Sequence, residues 1–460
     1  MTGAPGGAPA EPAVEGIWHA RWFWVTIGAI ALIFLAAVQS LAITTVMPIV
    51  SADLDGDALY AVAFAGTLAT SVIGMVATGA WCDRTGPVAP LTTCVALFVV
   101  GLVIAGLAPT MELLVAGRLI QGLGTGGQTV ALYVVVARVY PPQLHGRLFA
   151  AFSAAWVVPS LIGPFLAGAV TEYFHWRWVF LGVAVLTAAA FLMVFLRLRG
   201  HDLHTDDPTS DPVALRLGCA VAVAMGGVAL SLSGELGAWS LPVVAASVVV
   251  IAVAVRPLLP RRTLLAGRGL PSVILMRALI AGSLFGAEIY VPHLLIDGYG
   301  FSPTWAGLGL TTAAIAWALA ADISGRMGDR LGNTRIAVLG VAQLALAGIG
   351  VGITAVWHLP PAVAIVVWAF AGGGMGLMYP RLTVLTLAYS TPRNQGFNSS
   401  ALSIFDAVGA TMAIAVMGLA FTALTGTDAA YPVVFAIATA LALLALVPGL
   451  RLGHAHEQKP

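Results

Sequence analysis

The chain has 460 residues, 59% of them hydrophobic and 9% charged, a mixture that leaves too little polar surface to wrap a soluble globule. Its 21 basic and 20 acidic residues nearly cancel, which excludes the basic field that a nucleic-acid partner requires. Three cysteines, Cys82, Cys94 and Cys219, fit neither a disulfide framework nor a metal-ligand spacing and read as small packing residues. What remains is an integral membrane protein whose main partner is the lipid bilayer.

The first twenty residues are rich in Gly, Ala and Pro and lack a basic stretch followed by a short apolar core; they read as a disordered cytoplasmic tail rather than a cleaved signal. Crossing a hydrocarbon layer takes about 20 apolar residues per helix, and such spans follow near 22–50, 59–81, 88–108, 113–137, 147–169 and 178–197. These six helices make an N-terminal bundle over 21–200. A polar connector, RGHDLHTDDPTSDP, then leads to two weaker spans near 213–232 and 241–255, which place two further helices in a linker over 201–268. Six more spans lie near 271–296, 304–325, 335–356, 361–388, 400–424 and 431–450, forming a C-terminal bundle over 269–451 before a short tail at 452–460. The expected fold is all-α and membrane-embedded, with fourteen transmembrane helices.

Orientation follows from arginine, because positively charged loops stay inside. With the amino terminus inside, the cytoplasmic breaks hold Arg84, Arg138, Arg147, Arg197, Arg199, Arg326, Arg330 and Arg335, while the outside breaks hold only Arg177 and collect Asp53, Asp55, Asp57, Glu172, Glu235, Asp297 and Asp428. Both termini are therefore expected in the cytoplasm. The bias to arginine, with Lys459 the only lysine, points to a GC-rich bacterial genome and so to a bacterial inner membrane.

One motif is written twice. GAWCDRTG at 79–86 and GRMGDRLG at 325–332 share G-x-x-x-D-R-x-G, with Gly79, Asp83, Arg84 and Gly86 repeated as Gly325, Asp329, Arg330 and Gly332. Since 325 − 79 = 246, a shift of that size lays the first six spans over the last six. A parallel six-helix duplication with a site at the midplane is a transporter architecture. On these residues the chain resembles the major facilitator superfamily, and most closely its fourteen-helix drug:proton antiporters, which insert two helices between the halves. Three further stretches carry the resemblance. GRLIQGLGTGG on helix 4 is similar to the proton-coupling pattern, with Arg118, Gln121 and Gly122; VVPSLIGPFLAG on helix 5 is similar to the antiporter motif, with Gly163, Pro164 and Gly168; HWRWVF resembles the outer loop entering helix 6.

The chain also departs from that pattern. Pro87 and Val88 stand where a second basic cluster follows the first loop motif, Ala167 replaces a glycine of the antiporter motif, and Gln39 occupies the place of the helix-1 aspartate nine residues before Pro48. The usual coupling acid on helix 1 is therefore missing.

The loop motif has a physical reading of its own. An aspartate beside the positive end of a neighbouring helix is stabilised by the macrodipole, by about 0.3–1 kcal/mol or more when partly buried. Asp83 is expected to latch onto the start of helix 13, where Asn398, Ser399 and Ser400 are capping candidates, and Asp329 onto the start of helix 5 at Arg147. An isolated copy reads equally well as a tight turn with solvated charges; the pair favours the latch.

Ionisable residues inside the bilayer cost about 2.5–3.5 kcal/mol each even on lenient scales, and four stand out: Arg118 on helix 4, Glu288 on helix 9, Arg381 on helix 12 and Asp406 on helix 13. The resemblance implies that helices 1, 4, 9 and 12 line the central cavity, which makes Gln39, Gln121, Glu288, Tyr290 and Arg381 its candidate lining. Glu288, Arg118 and Asp406 are the candidates for proton coupling. Each has a bland alternative: Arg118 and Arg381 as snorkelling anchors, Asp406 and Asp322 as counter-ions of Arg326 or Arg330. The glycine runs lie inside apolar helices with no preceding strand and no Lys-Ser/Thr, so no phosphate loop, no cofactor and no metal is expected.

The leading expectation is a monomeric secondary transporter, not an enzyme, exporting a small amphipathic substrate in exchange for protons by alternating access. The alternatives are proton-coupled or facilitated uptake of a small nutrient, and a transport-inactive sensor or lipid-binding scaffold.

Overall fold

The computed structural model describes residues 16–56, 59–199, 203, 213–233, 237–301 and 303–453, with a few side chains inside helices left aside. The tails at 1–15 and 454–460, most of the polar connector, Asp57, Glu235 and the Pro164 side chain lie outside the described residues.

Every regular element among the described residues is helical. The first half comprises α1 (Phe23–Asp53), α2 (Tyr60–Thr85), α3 (Val88–Leu107), α4 (Met111–Val139), α5 (Pro142–Tyr173) and α6 (Arg177–Leu198). Two helices follow, α7 (Val213–Leu232) and α8 (Ser240–Ala254). The second half comprises α9 (Leu270–Glu288), α10 (Pro303–Leu331), α11 (Asn333–Trp357), α12 (Pro361–Ala388), α13 (Gln395–Ala423) and α14 (Ala430–Leu444), the last prolonged by a turn at Leu446–Gly449. Twelve helical spans among the described residues are long and apolar enough to cross a membrane.

One expected helix is interrupted. The span near 271–296 breaks after Glu288 and continues as Tyr290–His293 and a wide π turn at Leu294–Gly298. Pro292 explains part of this, because its ring lacks the N–H that an unbroken helix would need there.

The duplication reaches the packing. In the first half α2 packs on α4, α3 on α4, α1 on α5, α1 on α6 and α3 on α6; in the second half α10 packs on α12, α11 on α12, α9 on α13, α9 on α14 and α11 on α14. Each pair repeats with its helices advanced by eight places. Glycines set the closest approaches and repeat too. A Cβ on Gly122 or Gly126 of α4 would run into the carbonyls of Thr67 and Ser71 on α2, and a Cβ on Gly372 or Gly376 of α12 into those of Ala313 and Trp317 on α10. The α2 residues repeat at 246, as the motif does, and the α4 glycines at 372 − 122 = 250, so four residues separate the registers of the two halves. Small residues at such crossings let backbones touch where no hydrophobic effect drives helices together in lipid.

The halves meet through α2 and α4 on α13 and through α5 on α10 and α12, while α7 lies against α2 and α8.

Candidate functional site

Both octapeptides lie at the same end of the molecule, here termed the latch end, and the first is built as three devices. Gly79 permits close approach, since a Cβ there would stand 2.6 Å from the Gly396 carbonyl of α13. Four residues later Asp83, 3% exposed, accepts from the Gly396 N–H at 2.6 Å and the Phe397 N–H at 2.8 Å. Gly86 then stops α2 at φ 87 and ψ 172, backbone angles that only glycine adopts readily. The expected latch between Asp83 and the start of helix 13 is thus present, but the expected caps are not. Asn398 donates to Ser390 and Asn394, and Ser399 Oγ is buried without a partner. The aspartate of another helix fills the N-terminal vacancy of α13 that its own residues leave open.

Arg138, which the sequence marked only as a cytoplasmic charge, gathers the latch. From the end of α4 it donates to the carbonyls of Leu203, Cys82 and Pro392 at 2.6, 3.3 and 3.0 Å and to Gln395 Oε1 at 3.3 Å. Arg216 of α7 stacks its guanidinium 4.3 Å from the ring centroid of Phe397, so the inserted helices also touch this lock.

The second copy repeats the approach and not the charge. A Cβ on Gly325 would stand 2.9 Å from the Gly146 carbonyl of α5, the counterpart of Gly79 against Gly396. Asp329, however, does not cap α5 at Arg147: it takes Arg381 Nη1 at 2.6 Å, and Arg381 Nε goes to Asn333 Oδ1 at 2.7 Å. Arg381 competes within its own half and wins. Asp322 pairs with Arg326 at 2.8 Å, one of its two expected partners. Gly332, at φ 82, ends its motif as Gly86 does.

A buried ionic cluster lies deeper in. Arg277 of α9, 5% exposed, donates from Nε to Asp406 Oδ1 at 2.8 Å and from Nη1 to the Tyr379 carbonyl and Thr383 Oγ1 at 3.1 and 3.2 Å. The Tyr379 hydroxyl donates to the same Asp406 oxygen, and Arg277 lies 3.2 Å from the Tyr379 ring centroid. Tyr133 of α4 lies near enough to Arg277 and Asp406 to feel both charges across the boundary between halves. Asp406 therefore answers Arg277, not Arg326 or Arg330. Arg277 escaped the sequence reading, although an arginine seven residues into an apolar helix was itself a signal.

Towards the opposite end the remaining candidates separate. Arg118, 4% exposed, does not snorkel; its Nη1 donates to Gln121 Oε1 at 2.7 Å while its Nε finds no acceptor. Gln39 is fully buried with neither amide atom bonded. Glu288 has no hydrogen bond or ion pair among the described residues. It stands eleven residues beyond Arg277, three turns along, and so on the same face of α9. Past the helix break Tyr290 packs against Phe421, centroids 4.9 Å apart. Gly163 and Gly168 of α5 hold no tight crossing, the nearest atom to a Gly163 Cβ being Leu41 Cβ at 3.9 Å and none lying within 4 Å for Gly168. HWRWVF forms a staple: Trp176 Nε1 donates to Asp53 at 2.9 Å and Arg177 to the Ala108 carbonyl at 3.0 Å, tying α6 to α1 and α3.

Two equivalent helical halves, locked at one end and holding ionisable side chains between them, define a secondary-transporter architecture. Residues 29–414 match the Major Facilitator Superfamily; the chain belongs to that family. An uncharacterized MFS-type transporter of Mycobacterium tuberculosis (strain H37Rv) is 29% identical over 407 residues, covering 85% of this chain, which in turn spans 58% of that protein's length. A probable multidrug-efflux transporter of the same organism is 25% identical, with 98% of this chain and 99% of the relative covered. Among solved structures, a bacterial homologue of the iron transporter ferroportin in an outward-facing state superposes with a TM-score of 0.69 at 12% identity, over 93% of this chain and 99% of that one; this likeness concerns the fold alone.

Replacing Asp83 by Asn keeps the side chain's shape, removes its charge and leaves one of its two backbone N–H donors facing an amide nitrogen that cannot accept. Charge-assisted bonds at a helix start are worth about 1–2 kcal/mol when partly buried, so turnover in proteoliposomes is expected to fall about 5–30-fold with insertion intact. Unchanged turnover would reduce the loop to a turn.

Proposed function

We propose that the protein is a fourteen-helix secondary active transporter that exports amphipathic compounds in exchange for protons. On this reading the latch end faces the cytoplasm of a bacterial cell, with both termini there, and the chain works as a monomer in the inner membrane. The halves are 21–200 and 269–451, joined by the linker 201–268 with its two additional helices. The arginine distribution supports the orientation, and the full-length similarity to a probable multidrug-efflux transporter supports the direction and class of cargo.

The observation that carries the coupling is Glu288: a carboxyl far along α9 with no partner of its own among the described residues. Such a group is neutralised either by a proton or by a cationic group of the cargo, and not by both. With the latch closed, as Asp83 on α13 has it, a proton entering from outside displaces the cargo from Glu288; with the latch open, cargo displaces the proton. Asp406 is already held by Arg277 and Tyr379 and serves as their counter-ion rather than as carrier.

Liposomes carrying the protein, given an imposed pH gradient and an amphipathic amine, test the proposal. Proton movement linked to cargo movement in the opposite sense is expected. Movement in the same sense would favour uptake by symport, and binding without any flux would favour a scaffold.

A further inference from the structure

Glu288 leaves a negative charge unanswered in one half, and the other half leaves a positive one. Arg118 does not shed its charge, and burying a guanidinium without an anion is costly, yet its only side-chain partner among the described residues is a neutral amide. Its Nε and both amide atoms of Gln39 are buried and unbonded. The register of α1 on α4 brings these residues together. Gln128 Nε2 donates to the Leu32 carbonyl at 3.1 Å, and seven residues outward along each antiparallel helix lie Gln121 and Gln39, two turns away on the same faces.

The depth of Glu288 matches. Tyr133 and Arg277 mark a common level. From it, Arg118 lies fifteen residues and about 22 Å outward on α4, and Glu288 eleven residues and about 16 Å outward on α9. Glu288 shares the face of α9 that carries Arg277, and Arg118 lies about 60° round α4 from Tyr133. The two side chains that lack an opposite charge thus lie at levels about 6 Å apart along the helix axes, one in each half.

We infer that the cargo is dipolar: Arg118, with Gln121 and Gln39, receives an anionic group, a carboxylate by preference, while Glu288 receives a cationic group of the same amphipathic molecule. Arg118 offers its free Nε–H and Gln39 its amide N–H to the carboxylate, and Gln39 Oε1 remains for a donor on the ligand or a water. This rests on the transporter reading above and narrows it. A simple lipophilic cation leaves Arg118 buried and unanswered; a simple anion leaves Glu288 to a proton and gives no exchange.

Three probes of matched shape test it: 4-(aminomethyl)benzoate, 4-methylbenzoate and 4-methylbenzylammonium, titrated by equilibrium binding to the purified protein in lipid nanodiscs with no gradient. The dipolar probe is expected to bind at least about tenfold more tightly than either singly charged one, each lost charge-assisted contact being worth about 1.5–3 kcal/mol. Arg118→Gln should bring it down to the level of the cation. Gln39→Asp should do the same by giving Arg118 an internal carboxylate, in a variant whose melting temperature does not fall. Equal binding of the dipolar probe and the cation, no saturable binding of the dipolar probe, or an unchanged ratio in both variants overturns the inference. Proton flux is measured separately: dipolar binding without coupled flux defeats the antiport mechanism and leaves the binding site standing, whereas coupled flux of the plain cation with no dipolar preference does the reverse.

Discussion

Glu288→Gln is expected to cut gradient-driven accumulation at least about tenfold while leaving substrate-for-substrate exchange measurable. The amide matches the protonated acid in shape but has no proton to release, so the variant is fixed in one member of the carrier's two states. The cargo's cationic group loses its counter-charge, about 1.5–3 kcal/mol or tenfold or more in affinity, and the gradient loses its handle on the cycle. Because Glu288 has no partner among the described residues, removing its charge orphans nothing, and yield and melting temperature should hold. A structural role predicts the opposite pattern, with lower stability and coupling intact. Recording proton and substrate flux together in liposomes separates the two, and preserved accumulation would take Glu288 out of the mechanism.

How far the sequence reached follows from the range of each interaction. The duplicated halves were legible because they are written locally: apolar spans set the helices, and the shift of 246 that relates Gly79 to Gly325 also relates Ser71 to Trp317 and Cys94 to Gly340, residues that meet paired glycines of α4 and α12. The first latch was legible because Asp83 and the start of α13 are both helix ends. Pairings that depend on competition between distant residues were not. Asp329 had the same motif as Asp83, but Arg381, 52 residues further on, is near enough to take it. Arg277 and Asp406, 129 residues apart, form an ion pair that looks in sequence like two separate anomalies, one of which passed unnoticed. Glu288 was found by its cost in the bilayer alone and Arg118 by that cost and its motif, and their lack of an opposite charge became visible only in the packed chain.

The largest effect on stability is expected at the Arg277 cluster, and it should be asymmetric. Asp406→Ala removes the one acid that, among the described residues, pairs with Arg277, a residue 5% exposed. Arginine cannot answer by losing its proton, so the variant should lose about 3–5 kcal/mol, the range for breaking a buried pair from one side, and its yield should collapse. Arg277→Met leaves Asp406, whose side chain is 24% exposed, with the Tyr379 hydroxyl as donor and the option of taking a proton, so its cost should be smaller. The double variant Arg277→Met/Asp406→Leu has no charge to bury and should recover most of the loss, giving a coupling energy of about 2–3 kcal/mol in a double-mutant cycle on unfolding. Recovery of stability need not restore transport, because Tyr133 reaches Arg277 from the other half and the apolar pair offers it nothing. Tyr133→Phe isolates that contact, with turnover expected to change while the free energy of unfolding stays within about 1 kcal/mol of the parent's. Equal costs for the two single variants, adding without coupling in the double, would mean that Arg277 and Asp406 are each solvated separately and that the cluster neither stabilises the second half nor joins it to the first.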